Sequence, residues 1–446
     1  MSRLFLRSVA LVAFLALASP AFSAKTPAKT GQQAAPATAK VLFREPIQPV
    51  LYELPSGALA TWRTHAARKP ALVLFSSHPY LHPLSSDQRP DVMELLRSAP
   101  SAEIVRRGKL QVPDPALITP QAVSAAIEAG YFSEMVLVMP TNVKRADFSL
   151  ETFQQSVYTA GFFTEEEALA LKIADGVISG TVRGLPFRCV HPEALPAIDG
   201  PVIAHIDLGY FNDIYANDVK TPVYTLLFQT ASRIRDRQWQ ALAVTLSYSN
   251  LEIGLSLESR FILSHLAEVL RHPEYIDGGA PANWSQRIKA LYAEAMFSEN
   301  DALELFAKAA AATPPDPADL YAWSLRLSRQ KRSAEAMAAL DRAVALDSGY
   351  GLAYLDLAEN AAGQMLTDVA LNLLGKAGRC FPDNPFIGIR KADLLLTRGR
   401  KTAALPLIIV ASRLPWSPRV HQTIPEKLEK MAREATDDSK SVKKRP

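Results

Sequence analysis

"ALELFAKA", residues 302–309, is followed at an even spacing by "AMAALDRA" (336–343), "ALNLLGKA" (370–377) and "ALPLIIVA" (404–411). Each octapeptide starts 34 residues after the last and is closed at both ends by alanine around one bulky residue: Phe306, Leu340, Leu374 and Ile408. A small residue recurs earlier in every unit, as Ala290, Ser324, Ala358 and Ala392. A fixed period of this length marks stacked units that bury their apolar faces only against one another. Alanine lets the paired helices approach closely, and the bulky residue fills the gap between neighbouring units. The pattern predicts four helical hairpins across residues 283–418.

These residues resemble the tetratricopeptide repeat, with Pro314 and Pro382 at its turn position and Ser348 and Trp416 replacing proline in the other two copies. Lys289 stands where an apolar residue is usual, and Pro406 falls inside a helix that it should distort. Residues 419–434 contain "PEKLEKMARE" (425–434), read as a polar capping helix, and 435–446 read as a disordered tail. The resemblance implies a concave surface, lined by first helices, that holds a protein or peptide partner. Its candidate lining residues are Tyr321, Arg329, Glu359, Arg390 and Asp393. The alternative is that the array packs on the rest of its own chain.

Residues 41–280 have a different pattern: "ALVLF" (71–75), "MVLVM" (135–139), "VIAHI" (202–206) and "ALAVTLS" (241–247), separated by helical stretches. Those stretches include "PQAVSAAIEAG", and "TEEEALALK" with a capping box at Thr164 and Glu167. Continuous apolar strands alternating with helices predict a three-layer α/β domain with a mostly parallel sheet, followed by the all-α solenoid. Ligands of such sheets bind beyond the carboxyl ends of the strands. There lie "SSHPYLH" (76–82), "HIDLGYF" (205–211) and "SYSN" (247–250).

This order of strand ends resembles the ureohydrolase superfamily of arginases, agmatinases and related deacetylases. The family's Asp-x-His-x-Asp falls on Ser76-Ser77-His78-Pro79-Tyr80, and its Asp-x-Asp on His205-Ile206-Asp207, so only His78 and Asp207 match. The missing carboxylates argue against a manganese pair, because hard cations need charge-offsetting oxygen ligands. His78, His82, His205 and Asp207 are the metal-ligand candidates, a set suited to one zinc ion that could activate water. The competing reading makes the histidines hydrogen-bonded residues at strand ends of a degenerate site. Asp213 and Asp218 are expected to cap a loop and a helix. His191 follows "PFRCV", expected as an edge strand, while His265 and His272 read as surface residues of an amphipathic helix. Neither a Gly-rich phosphate loop nor a serine-hydrolase elbow around Ser247 or Ser249 is present.

Arg3 and Arg7, the apolar run Ser8 to Ala18 and the small residues up to Ala24 read as a signal peptide over residues 1–24. This predicts export, to the periplasm. "KTPAKTGQQAAPATAK" (25–40) lacks large apolar side chains and reads as a flexible leader. No later stretch is long and apolar enough to span a membrane. The formal charge of +4 includes Arg3 and Arg7, which leaves no electrostatic case for nucleic acid. Two cysteines, Cys189 and Cys380, exclude a disulfide framework, though not a single bridge. Two functions stay open: a scaffold whose array recruits a partner, or a single-metal hydrolase of amide or amidine C–N bonds. The sequence names no catalytic residue.

Overall fold

The computed structural model describes residues 42–140, 149–211, 223–249 and 256–437. The expected signal peptide and leader, Asp213 and Asp218, and the end of the tail lie outside these residues. Among the described residues eight strands form one sheet: β1 (Val50–Tyr52), β2 (Ala71–Phe75), β3 (Glu134–Val138), β4 (Lys172–Ala174), β5 (Val177–Val182), β6 (Leu185–Val190), β7 (Pro201–Asp207) and β8 (Gln240–Ser247). Their order is β1-β8-β7-β2-β3-β6-β5-β4. From β1 to β6 the neighbours are parallel; β5 and β4 continue the sheet antiparallel.

The four apolar runs are apolar throughout because both faces of these strands are covered. One face carries α1 (Pro55–Thr64), α2 (Arg89–Ser98), α3 (Ser101–Arg107), α4 (Ala122–Glu128), α5 (Leu150–Thr159) and α6 (Glu165–Leu169), which pack on Leu72, Leu74, Met135, Leu137 and Ile203. On the other face α7 (Val223–Arg237) and α8 (Arg260–Arg271) pack on Val73, Phe75, Val136, Ala204 and Val244. Thr164 and Glu167 form the expected capping box at α6.

"PFRCV" differs from its reading. It lies in β6, which pairs with both β3 and β5, so it is an interior strand; the edge belongs to β4. The extra strands follow from two hairpin turns, Asp175-Gly176 and Arg183-Gly184, whose four residues have φ between +51° and +76°. Two successive left-handed residues match the right-handed twist of the flanking strands.

The repeats fold as antiparallel hairpins: α9 (Ala282–Ala295) with α10 (Glu299–Ala310), α11 (Pro317–Arg329) with α12 (Ser333–Leu346), α13 (Leu352–Gly363) with α14 (Thr367–Cys380), and α15 (Pro385–Thr397) with α16 (Lys401–Ser412). All sixteen residues of the 34-residue pattern are buried, from Ala290 to Ala411. The helix containing Pro406 continues through it. The capping helix is α17 (Ile424–Thr436), which covers the last hairpin with Leu428 and Met431.

Every hairpin corner closes in the same way. Phe297, Lys331, Met365 and Gly399, one per unit, have φ between +58° and +68°. The next residue's N–H reaches back five residues, as Ser298 to Ala293, Arg332 to Leu327, Leu366 to Ala361 and Arg400 to Leu395, at 2.8–3.0 Å. These are Schellman corners, which satisfy the carbonyls left open at a helix end.

The boundary expected near residue 280 separates two architectures but not two cores. Sheet residues such as Val73, helix residues such as Leu266 and array residues such as Leu340 and Leu374 belong to one buried cluster, inside a single compact unit.

Candidate functional site

Helices leave β2 and β7 toward opposite faces of the sheet, so the carboxyl ends of these neighbours form the switch point where such folds hold ligands. A polar column runs up to that point on the face covered by α1. Register opposes His205 to Thr245 and Asp207 to Ser247, and an irregularity at Val202/Ile203 sets that alignment. A slip of one residue would turn either pair to opposite faces.

With Asp207 ionised, one proton arrangement satisfies the column from end to end. The Trp62 indole can only donate, and it does so to Thr245 Oγ1 at 3.1 Å. Thr245 then donates to His205 Nδ1 at 2.8 Å, and His205 Nε2–H donates to Ser247 Oγ at 3.1 Å. Ser247 in turn donates to Asp207 Oδ2 at 3.1 Å. Every member is buried. Burial pushes the His205 imidazolium down to about 3, so the ring is neutral, as the chain of donors requires.

Asp207 ends the column in a cradle of donors. Ser249 Oγ (3.0 Å), Gly209 N–H (2.7 Å) and Ser76 Oγ (3.5 Å) join Ser247, and the Tyr80 hydroxyl adds another. Burial pushes this carboxyl up, against the Tyr80, Gly209, Ser249 and Ser247 bonds that favour its charge. Gly209 has to be glycine here: a Cβ would stand 2.5 Å from Asp207 Oδ1 and 2.7 Å from Ser77 Oγ.

The four candidate metal ligands do not converge. Both His205 nitrogens are engaged by hydroxyls, which leaves no lone pair for an ion. Ser77 holds His78 Nδ1 at 2.9 Å, and His82 packs against Phe162 with ring centroids 4.8 Å apart. Among the described residues no group of three His, Cys, Asp or Glu is arranged to hold a metal. The residues therefore do not fit a zinc ion, and the geometry is that of a self-satisfied polar network. Sequence reading passed over Trp62 and Thr245 and took Ser76 only as a lost carboxylate, although Thr245 and Ser247 alternate at the end of a largely apolar strand.

A second buried polar cluster joins sheet and array. His265, expected on the surface, is buried: its ring nitrogens bond Tyr224 Oη and Asp316 Oδ2, each at 2.7 Å. It stacks on Trp284 at 4.3 Å. His272 is exposed as expected. Arg287, fully buried, pairs with Asp319 and lies 3.7 Å from Asp316. Burial pushes Asp316 up, but Arg287, His265 and the Ala318 N–H outweigh it and hold this carboxyl below the usual range. Nearby, buried Arg260 bonds both Glu53 oxygens (2.8 and 2.9 Å) and Asp347 (3.1 Å), and lies 3.7 Å over the Tyr248 ring. Arg326, from α11, pairs with Glu258 and Glu294.

The array's far end returns to the sheet half. Ser417 N–H bonds Pro113 O at 2.8 Å, His421 Nε2 bonds Val112 O at 2.9 Å, and Arg419 meets Asp87 at 3.3 Å. Between the two attachments lies a largely apolar crevice of about 230 Å³, walled by Leu54 and Val112 on one side and Leu352, Leu355, Phe381 and Pro382 on the other.

Of the expected partner-binding residues, Tyr321 is buried against Tyr350, with ring centroids 4.8 Å apart, so it does not line an open surface. Arg329 pairs with Glu294, and Arg390 bridges Glu359 and Asp393 on the exposed face. Cys189 and Cys380 are both free, the first buried under α5 and α6, the second on the crevice wall. No helix among the described residues is long and apolar enough to cross a membrane. No protein-family model matches the chain, and no curated protein matches it in sequence.

Proposed function

We propose that this chain is an exported binding protein that recruits a partner protein through the corner edge of a tetratricopeptide-like array. The sheet half serves as the platform on which the array is mounted. Export is inferred from residues 1–24, and the repeat family from the 34-residue pattern.

The observation that carries the reading is the exposure of large apolar side chains at the array's corners. Phe297 is 91% exposed and Met365 75%, at equivalent positions of the first and third hairpins. Met296, Leu366 and Val369 are exposed beside them. Apolar side chains grouped on one edge of an array mark an interaction surface, since each loses free energy by facing water. Neither corner is needed for packing, because the repeat pattern is buried without it.

The test uses the full chain, because the array shares its core with the sheet. A photo-crosslinking residue at the exposed neighbour Leu366 should capture a specific protein, and the same crosslinker in a Phe297→Ser/Met365→Ser background should no longer retain it, with the thermal unfolding of the variant unchanged. Equal recovery by both proteins would overturn the reading.

A further inference from the structure

The crevice between the array and the residues after α3 has features that the corner edge does not explain. One of its walls is tied to the far end of the array. Residues Lys109–Val112 are held by the His421 bond to Val112 O (2.9 Å) and the adjoining Ser417 bond to Pro113 O (2.8 Å). The opposite wall belongs to α13 and the loop after α14. Pre-formed, mainly apolar cavities with a few convergent polar groups are the usual form of a small-molecule site.

The charges in it are unevenly engaged. Glu53 has both carboxylate oxygens bonded by Arg260, so its charge is already offset. Lys109, on the sheet side, and Asp383, on the array side, have no ion pair or side-chain hydrogen bond among the described residues. Two neutral donors accompany them. Among the described residues Gln111 has no side-chain partner, and Asn384 uses its Oδ1 to cap Phe386 N–H at 3.1 Å, with no partner for its amide nitrogen. The lining also includes Val112, Leu352, Leu355 and Phe381. An unpaired ammonium from the sheet side and an unpaired carboxylate from the array side, in a lining that is otherwise mainly apolar, complement a ligand that has both charges and an apolar side chain.

Size limits the ligand further. The cavity measures about 230 Å³. A second cavity of about 310 Å³ shares Glu53, Leu54 and Lys109 with it and leads toward Tyr248 at the end of β8. We propose that the crevice binds a small apolar zwitterion, an aliphatic amino acid or its dipeptide, with the carboxylate on Lys109 and the ammonium on Asp383. Such a ligand would bridge the sheet half and the array.

Titration calorimetry of the full chain with leucine, leucyl-leucine, N-acetyl-leucine and leucinamide tests this. Leucine or leucyl-leucine should bind, and the tighter of the two identifies free amino acid or peptide as the source. Removing either charge should weaken binding about tenfold or more, the effect of losing a charge-assisted hydrogen bond. In Lys109→Met, leucine and leucinamide should bind equally; in Asp383→Asn, leucine and N-acetyl-leucine should. Both residues line a cavity and leave the core intact, and an unchanged melting temperature confirms that each variant is folded. Absence of heat with both zwitterions overturns the proposal, as does binding that Lys109→Met leaves unchanged. Phe297→Ser/Met365→Ser should retain the ligand, so failure here and failure at the corner edge are separable.

Discussion

Replacing His205 by glutamine and following stability against pH tests the reading of the polar column directly. Glutamine keeps one acceptor for Thr245 and one donor for Ser247 but cannot take up a proton. The folded ring titrates at about 3 against an ordinary 6.5. Between those values the unfolded chain binds a proton that the folded chain refuses, so stability falls as pH drops from 6.5 toward 3. From that difference, the wild-type protein should lose about 2 kcal/mol by pH 5 and about 3 kcal/mol by pH 4, relative to neutral pH. Urea midpoints measured from pH 7.5 to 4 give the assay, with equal slopes confirming the same unfolding transition. Other groups titrate too, but the difference between wild type and His205→Gln isolates this ring. The two curves should converge as pH falls. Curves that stay parallel would refute a neutral, buried His205.

Asp207→Asn should show the opposite trend. Its folded carboxyl lies above the ordinary 3.8, so the wild type's advantage over the variant should shrink as pH rises through the folded value, as measured by urea unfolding at pH 4 and 7.5; an advantage that grows with pH would contradict the burial penalty. Gly349→Ala would place a methyl group on the buried Arg260 guanidinium, at a cost of about 1–3 kcal/mol for overpacking. Thermal melts should show that cost largely removed in an Arg260→Met background, and equal costs in both backgrounds would exclude the contact. Phe297→Gly and Met365→Gly should each stabilise by about 0.5–1 kcal/mol, because relief of a left-handed L-residue, about 1–2 kcal/mol, exceeds glycine's entropy cost. Denaturant midpoints that fall instead would mean that these side chains hold the corners.

How much of this was legible depends on the distance over which each feature is specified. The hairpins were, because 34-residue spacing puts the packing residues of each unit in plain sight, and all sixteen are buried. The four central strands were legible too, since covering both faces makes their runs continuously apolar. The β4–β6 hairpins were missed despite Asp175-Gly176, a strong local turn signal, because attention to continuous apolar runs passes over strands such as β5 with polar or small residues between apolar ones. The Asp207 cradle was half legible. His205 and Asp207 stood at a strand end, but their partners depend on the register of β7 against β8, which the irregularity at Val202/Ile203 sets. The attachment of array to sheet was not legible at all: Arg260 and Asp347 are 87 residues apart, and His265 reads as a surface residue until Trp284 covers it.

The attachment of the array at both ends has a mechanical consequence. A solenoid free at one end bends like a spring, because each unit touches only its neighbours and small rotations accumulate. Here the first hairpins are tied to the sheet half through His265, Arg260 and Arg326, and the last through Ser417 and His421, while Leu340 and Leu374 share its core. A partner or ligand of the kind proposed would meet a surface tied down at both ends, with less ordering cost left to the complex. A change that loosened either footing would alter recognition at a distance without touching any contact residue.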